Sequence, residues 1–191
     1  MARIVSIVEG DGEVEAVPAL IRRIGEEVSP LDPPDVLRPI RVRRQRFVKP
    51  DEVERYVNLA AIRGDAEGRI LVLLDADSDC PAELGPNILQ RARTARSDRR
   101  IEVVVANSEY ESWFIAAVDS LQGTRGITAD VAVPKDPESI RGAKAWLRDR
   151  MNGPYSPTAD QATFTTRFDM ALARRRSPSF DKMWRAVSAL L

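Results

Sequence analysis

The sequence predicts an α/β fold, with a mainly parallel sheet of about four strands flanked by helices and followed by a helical C-terminal region. Short apolar runs alternate with segments whose apolar residues recur at the spacing of a helix. The run at 69–74 is apolar almost throughout, which is typical of a strand buried on both faces of a parallel sheet. This alternation favours right-handed crossovers between parallel strands, with helices covering both faces of the sheet.

The elements of the first two thirds are predicted from local patterns. Apolar runs between loop residues predict strands at 3–8, 37–42, 69–74 and 102–106. Helical spacing predicts helices at 13–28, from Pro50 to about Arg63, and at roughly 86–97. Pro50 suits the first position of its helix, because proline lacks the N–H that would be unpaired there.

The last third of the chain lacks strand patterns and predicts helices. They cover 139–151, 158 to about 174, and 180–191, and a Gly-Pro or Ser-Pro step separates each from the next. We therefore predict two parts, a metal-binding α/β core at 1–120 and a helical region at 121–191 that packs on it.

Composition excludes several classes of protein. With 191 residues, 43% of them hydrophobic and 30% charged, the chain is predicted to be one soluble domain or a domain with a helical appendage. No apolar run is long enough to cross a bilayer, no signal peptide is predicted, and one cysteine excludes an internal disulfide. We therefore expect a cytoplasmic protein without a membrane partner, and leave its oligomeric state open.

Charged residues limit the chemistry. Lys and Arg together number 29, as do Asp and Glu, so any attraction for nucleic acid must come from a local patch. The absence of histidine excludes Ser-His-Asp and Cys-His catalysis and zinc sites built on imidazole. Acid–base chemistry must therefore use carboxylates, lysine, tyrosine or metal-bound water.

Acidic residues lie where three predicted strands end, at the edge where open α/β sheets build their sites. Carboxylates that converge there repel one another unless a hard cation neutralises them, and oxygen ligands suit Mg²⁺ or Mn²⁺. We therefore predict a metal centre with four catalytic residues: Glu13, Asp75 and Asp77 are ligands, and Glu9 is either a ligand or a general base. A further ligand is predicted at Asp79. Glu111, with Glu109 as a candidate beside it, is predicted as a ligand or as a residue that orients metal-bound water.

Structural explanations stay open for each acidic motif. Gly10 and Gly12 can simply make the first turn, with Glu13 favourably placed at a helix N-terminus. Aspartates favour turns, so 75–79 can be a solvated loop, and Glu111 can complement the dipole of a helix start. The first turn also fits a degenerate dinucleotide-binding pattern, but its acids would repel a pyrophosphate and the expected ribose-binding acid is missing.

A dense basic run, RVRRQRFVK, follows the second predicted strand. Its cationic residues are Arg41, Arg43, Arg44, Arg46 and Lys49. Such a run is often a solvated face, but beside an acidic metal centre it can hold the phosphate backbone that the metal attacks. We therefore predict nucleic-acid binding at these five residues.

The acidic motifs resemble the TOPRIM fold of topoisomerases, primases and overcoming-lysogenisation-defect nucleases. There, a Glu after the first strand and a D-x-D after a later strand hold magnesium. The resemblance places Glu9 in the first position and Asp75 and Asp77 in the second, and Glu13 is similar to the second Glu of the nuclease branch.

A closer resemblance covers nearly the whole chain. The segments VEGDGE, LLDADSDC, SEYESWFIA, GPYSPTADQ and RRRSPSFDKM together resemble the TOPRIM-like bacterial family numbered 4276 among domains of unknown function. Some relatives are phage-defence effectors that partner an ATPase, so the resemblance implies nuclease action and a possible ATPase partner.

Together, the residues and the resemblance predict a magnesium-dependent nuclease that acts on DNA or RNA by two-metal hydrolysis. One alternative is a metal-dependent phosphotransferase or phosphatase acting on a small nucleotide, which would not need the basic run. Another is a non-catalytic module whose acids bind a structural cation or a protein partner. Structural roles are favoured for the other candidate substrate contacts, which are Lys144, Tyr155, Asp160, Gln161, Ser177 and Ser179.

Overall fold

A five-stranded parallel sheet lies at the centre of the chain, which the computed structural model describes over residues 1–191. The strands are β1 (Arg3–Val8), β2 (Asp35–Val36), β3 (Ile40–Arg41), β4 (Gly68–Asp75) and β5 (Ile101–Ala106). On one side, β1 pairs with both short strands; on the other it pairs with β4, which pairs with β5. Every pair is parallel, which confirms the predicted α/β class.

Nine helices surround the sheet, and none combines the length and hydrophobicity needed to cross a bilayer. The first four are α1 (Glu13–Val28), α2 (Arg44–Phe47), α3 (Glu52–Arg63) and α4 (Pro81–Ala95). The remaining five are α5 (Ser112–Ala116), α6 (Ala143–Arg148), α7 (Pro157–Thr165), α8 (Met170–Arg176) and α9 (Pro178–Leu190). Short 3₁₀ turns lie at Val118–Leu121, Thr124–Gly126 and Pro137–Ser139.

Alternate residues of the long strands are buried on opposite faces of the sheet. One face, which includes Ile4 and Leu73, packs against α1 and the C-terminal helices. The other, which includes Val5 and Val72, packs against α3 and α4. Because both faces are covered, β4 is apolar almost throughout rather than alternating.

An aromatic cluster joins the C-terminal helices to α5. The ring of Phe114 lies 5.5 Å from Phe164 and 5.6 Å from Phe168, both edge-on, and Trp113 lies 5.4 Å from Phe180. Each such pair contributes about 0.5–1.5 kcal/mol beyond the area it buries. These contacts fix α7 and α9 against the segment that follows β5.

The expectation of a single second strand at 37–42 is wrong. The chain pairs with β1 twice, through β2 and β3, so the sheet has five strands rather than four. Between them, Pro39 has no N–H with which to continue the ladder. The flanking hydrogen bonds remain, since Leu37 N donates to Ile4 O at 3.0 Å and Val42 N donates to Val8 O at 2.9 Å.

The helix predicted at 13–28 is confirmed as α1, whereas three other predicted helices are wrong in extent. The helix expected at roughly 86–97 begins at Pro81, because Pro81 and not Pro86 takes the first turn, where a missing N–H leaves no bond unmade. Pro50 is likewise not the first residue of its helix, which begins at Glu52.

The helix expected from 158 to about 174 is divided into α7 and α8. The break follows from Asp169, whose side chain accepts from Leu172 N at 2.9 Å and thereby caps a new helix. The helix expected at 139–151 forms only as α6, after a glycine with φ of 70°.

Candidate metal centre

Neighbouring strands bring carboxylates to one edge of the sheet. Glu9 directly follows β1, Glu13 is the first residue of α1, and Asp75 is the last residue of β4. Since β1 and β4 are adjacent and parallel, their carboxyl ends meet at the same edge. All three residues line a cavity of about 360 Å³, which we call the acidic pocket.

The turn from β1 into α1 requires glycine at position 12 because of packing. Gly12 has φ of −67°, so its backbone is open to any residue. A Cβ atom there would lie 2.2 Å from Gln161 Oε1 and 2.4 Å from the carbonyl oxygen of Pro157. The glycine therefore lets α7 approach the acidic pocket and place Gln161 in its wall.

Backbone N–H groups orient two of the carboxylates. Glu13 Oε2 accepts from Glu9 N at 3.0 Å, and Asp75 Oδ1 accepts from Tyr110 N at 2.8 Å. In contrast, Glu9 Oε2 is buried and has no hydrogen-bond partner. A buried carboxylate oxygen without a partner is costly, and a bound cation would satisfy it.

Glu111 lies beneath the pocket, with 0% of its surface exposed. Its Oε1 accepts from Tyr155 O–H and from Gln161 Nε2, each at 2.7 Å. Its Oε2 lies 3.2 Å from Lys144 Nζ but makes no bond of good hydrogen-bond geometry. The helical C-terminal region thus supplies all three of these side-chain contacts to Glu111.

Lys144 supplies a positive charge inside the cluster. Its Nζ lies 2.8 Å from Glu109 Oε1 and 4.0 Å from Asp75 Oδ2, and its backbone N–H donates to Glu109 Oε2 at 3.2 Å. Burial lowers the pKa of Lys144, but the carboxylate charges around it, Glu111 first, outweigh burial and raise that pKa. The ammonium group therefore stays charged and offsets part of the repulsion.

Burial, together with the remaining repulsion, raises the pKa values of three carboxyl groups. Burial, followed by the charges of Glu111 and Glu9, raises the pKa of Glu13 to about 7. Burial and the charge of Glu13 raise the pKa of Asp75 well above its usual value. Burial and Asp77 also raise the pKa of Glu9. Near neutral pH the cluster therefore resists carrying its full negative charge.

Asp77 and Asp79 lie at the exposed rim, with 57% and 55% of their side chains accessible. Arg44 pairs with Asp79, its Nη1 lies 3.9 Å from Asp77 Oδ2, and it donates to Ala76 O at 3.5 Å. Arg44 therefore contacts the loop 76–79 after β4, which we call the acidic loop, although in the sequence it is one of several arginines in the basic run.

The carboxylate oxygens of the acidic pocket suit a hard cation, but the side chains are not arranged around a single metal position. No group of three or more acidic side chains is spaced to hold a metal ion. The reason is visible in the contacts, since backbone N–H groups and Lys144 occupy several of the oxygens. The partnerless oxygen of Glu9 is the best-placed free donor. The ligand roles predicted for these residues remain predictions.

A second cavity of about 590 Å³ adjoins the acidic pocket. We call it the basic cleft; its lining is Arg41, Val42, Arg43, Gln45, Arg46, Lys49, Glu52 and Tyr56. Arg41 and Arg43 line both cavities. Arg41 pairs with Asp11 at 2.8 Å, whereas Arg43 and Lys49 are exposed. Four of the five cations in the predicted basic run therefore face the cleft, and Arg44 does not.

The sequence does not assign three site residues, Lys144, Tyr155 and Gln161, to the metal centre. No spacing pattern relates them to Glu111, which lies 33 to 50 positions earlier, so the sequence predicts only possible substrate contacts there. The segment GPYSPTADQ contains polar residues that are candidates for such contacts, but the packing of α7 on α1 determines which of them reach the acidic pocket.

Comparisons with known proteins give one family and one structural likeness. The family model described as "Domain of unknown function (DUF4276)" matches residues 8–188. No curated protein matches the chain. Among solved structures, the C-terminal region of the Burkholderia pseudomallei OLD protein is similar over 98% of this chain and 97% of that chain, with 18% sequence identity and a TM-score of 0.44.

Proposed function

The chain belongs to the DUF4276 family, and we propose that it is a divalent-metal-dependent nuclease of the TOPRIM type. One observation carries the proposal: buried carboxylates with raised pKa values meet at the carboxyl edge of the sheet, directly beside a cationic cleft. The first feature favours a hard cation, and the second favours a polyanionic substrate.

Glu9, Glu13 and Asp75 are the proposed metal ligands that line the acidic pocket. Asp77, Asp79 and Glu111 are the proposed further ligands; the two aspartates would exchange Arg44 for the cation. Bound Mg²⁺ or Mn²⁺ would activate water and neutralise charge on the phosphate. Lys144 would hold the orientation of Glu111 and Glu109 and keep the cluster charge low.

The basic cleft supports a polymer substrate over a small nucleotide. Arg43 and Lys49 make no ion pair within the chain, so both can contact phosphates without first breaking a bridge. Arg41 and Arg43 extend this positive surface to the acidic pocket. A strand held by the cleft would therefore pass the carboxylates. The resemblance to the DUF4276 family, some of whose members are phage-defence effectors, extends the proposal to a phage-defence effector that works with an ATPase partner.

Replacing both Arg43 and Lys49 with glutamine should weaken nucleic-acid binding for every sequence tested. Removing each charge that binds a phosphate should reduce the slope of log affinity against log salt by about 0.7 to 0.9. Filter binding or anisotropy in EDTA across a salt series measures this slope.

The matched control for that variant is Arg63→Gln with Arg175→Gln. These two exposed arginines lie outside both cavities, and the charge change is the same. The control should keep the parent slope. If the Arg43 and Lys49 variant also keeps it, the basic run is only a solvated face and the small-nucleotide alternative gains support.

The function is tested by incubating the purified chain with labelled single-stranded DNA, duplex DNA and RNA. We expect cleavage with Mg²⁺ or Mn²⁺ and none in EDTA, because the carboxylates need the cation to act on phosphate. A mononucleotide and a simple phosphate monoester test the phosphatase alternative in parallel. Cleavage in EDTA would contradict the proposal, as would calorimetry that shows no metal binding; the latter would favour a non-catalytic module.

A further inference from the structure

We infer that the basic cleft holds a nucleobase against Tyr56, so that the strand it delivers is single-stranded or locally unpaired. This inference rests on the proposed function for the position of the cut. The binding itself involves no metal, so it can be tested without cleavage. No feature of the sequence pattern singled out Tyr56, which lies in α3, outside the basic run.

Tyr56 is the aromatic side chain in the lining of the basic cleft. It is half-buried, and its ring lies 6.1 Å from Phe47 at 49°, which fixes the ring from the protein side. Its hydroxyl makes no hydrogen bond within the chain. The guanidinium carbon of Arg46, another lining residue, lies 5.9 Å from the ring centre, and that of Arg55, outside the lining, lies 5.6 Å from it. The cleft therefore presents two adjacent flat groups, the kinds of side chain on which bases stack.

Charge in the cleft suits a phosphate attached to that base. The lining of the basic cleft contains four cationic side chains and one carboxylate, that of Glu52, which pairs with Arg46 at 3.1 Å. Arg43 and Lys49 keep their charges free for a phosphate. The volume of about 590 Å³ falls within the range of small-molecule sites and accommodates a nucleotide unit.

Continuity with the acidic pocket sets the direction of the strand. A base on Tyr56 would place the neighbouring phosphates along Arg43 and Arg41, which also line the acidic pocket. In a duplex the faces of the bases are covered by their neighbours, so stacking on a side chain requires an unstacked base. The cleft therefore favours single strands, loops or frayed ends over intact duplex.

The test compares the affinities of a single strand of about 12 nucleotides, the same sequence as a blunt duplex, and a mononucleotide, all in EDTA. Tyr56→Leu should weaken single-strand binding about 10-fold, within the range for loss of one base–aromatic stack. The Tyr56→Leu variant should keep the parent's duplex affinity and the parent's slope of log affinity against log salt, because every phosphate-binding charge is retained. Tyr56→Phe is the matched control; it keeps the ring and should bind like the parent.

A second measurement does not depend on any variant. A single strand that carries 2-aminopurine should lose fluorescence on binding the parent protein, because stacking quenches this base. Leucine retains an apolar contact with Phe47, and melting temperatures show whether the variant is folded. If it is not, the quenching in the parent still decides the question.

Four results would overturn the inference: unchanged single-strand affinity in Tyr56→Leu, an equal loss for duplex, no quenching, or mononucleotide binding as tight as strand binding. Ring-dependent binding without metal-dependent cleavage would support the base subsite and refute the nuclease. Metal-dependent cleavage with binding that does not depend on the Tyr56 ring would support the nuclease and refute the base subsite. The two proposals therefore fail separately.

Discussion

Asp75→Asn should lower metal-dependent cleavage by more than about 100-fold, the upper range for losing a residue that merely supports a metal ligand. Asparagine keeps the oxygen that accepts from Tyr110 N at 2.8 Å, so the local backbone is retained. The substitution removes the carboxyl group of Asp75, whose pKa is raised by burial and by the charge of Glu13. The metal-free variant should therefore also melt at a higher temperature than the parent at about pH 8.

The measurements are initial cleavage rates at saturating Mg²⁺, Mn²⁺ affinity by calorimetry, and melting temperature in EDTA. Asp130→Asn is the matched control, because Asp130 is exposed and makes no ion pair. It should equal the parent in all three. Unchanged metal affinity and rate in Asp75→Asn would remove Asp75 from the centre, and a lower melting temperature would mean that the loss of activity reflects unfolding.

Local patterns were sufficient to predict the elements that carry the acids. The continuous apolar run of β4 and the helical spacing of α1 are properties of neighbouring residues, and both elements form as expected. Carboxylates placed after them had to reach one edge once β1 and β4 were parallel neighbours. The broken second strand was harder to predict, because the effect of Pro39 depends on how its neighbours pair with β1.

The remaining site residues could not be predicted because tertiary packing places them. The contact of Gln161 with Glu111 spans 50 positions and depends on how closely α7 approaches Gly12. The difference between Arg43 and Arg44 depends on the short helix α2. Arg43 is exposed to the cleft, whereas the side chain of Arg44 is only 13% exposed and pairs with the acidic loop. In the sequence these two adjacent arginines are equivalent.

The metal-free protein should lose stability as the pH rises from about 5 to about 8, and Glu13 should account for much of the loss. Burial, with Glu111 and Glu9, raises the pKa of Glu13 from 4.5 to about 7 in the folded state. The folded protein therefore holds this proton more tightly than the unfolded chain does. The stabilisation is complete below the unfolded pKa and is lost as the pH rises through about 7, a change of roughly 3 kcal/mol in unfolding free energy.

Glu13→Gln should flatten this pH dependence, since glutamine cannot ionise and can still accept the Glu9 N–H. Denaturant unfolding in EDTA across the pH range measures the effect. The matched control is Glu15→Gln, two residues further along α1 and exposed, which should keep the parent profile. An unchanged profile in Glu13→Gln would show that the ionisation of Glu13 is not coupled to folding.

Adding Mg²⁺ should restore stability to the parent much more at about pH 8 than at about pH 5, because the cation binds the deprotonated carboxylates. A buried network with only a structural role would show the same loss with pH, but Mg²⁺ would not reverse it. In Glu13→Gln the stabilisation by Mg²⁺ should be smaller, because one oxygen ligand has lost its charge. Equal stabilisation at both pH values would mean that the cation binds elsewhere, and the raised pKa of Glu13 would then reflect burial without a metal function.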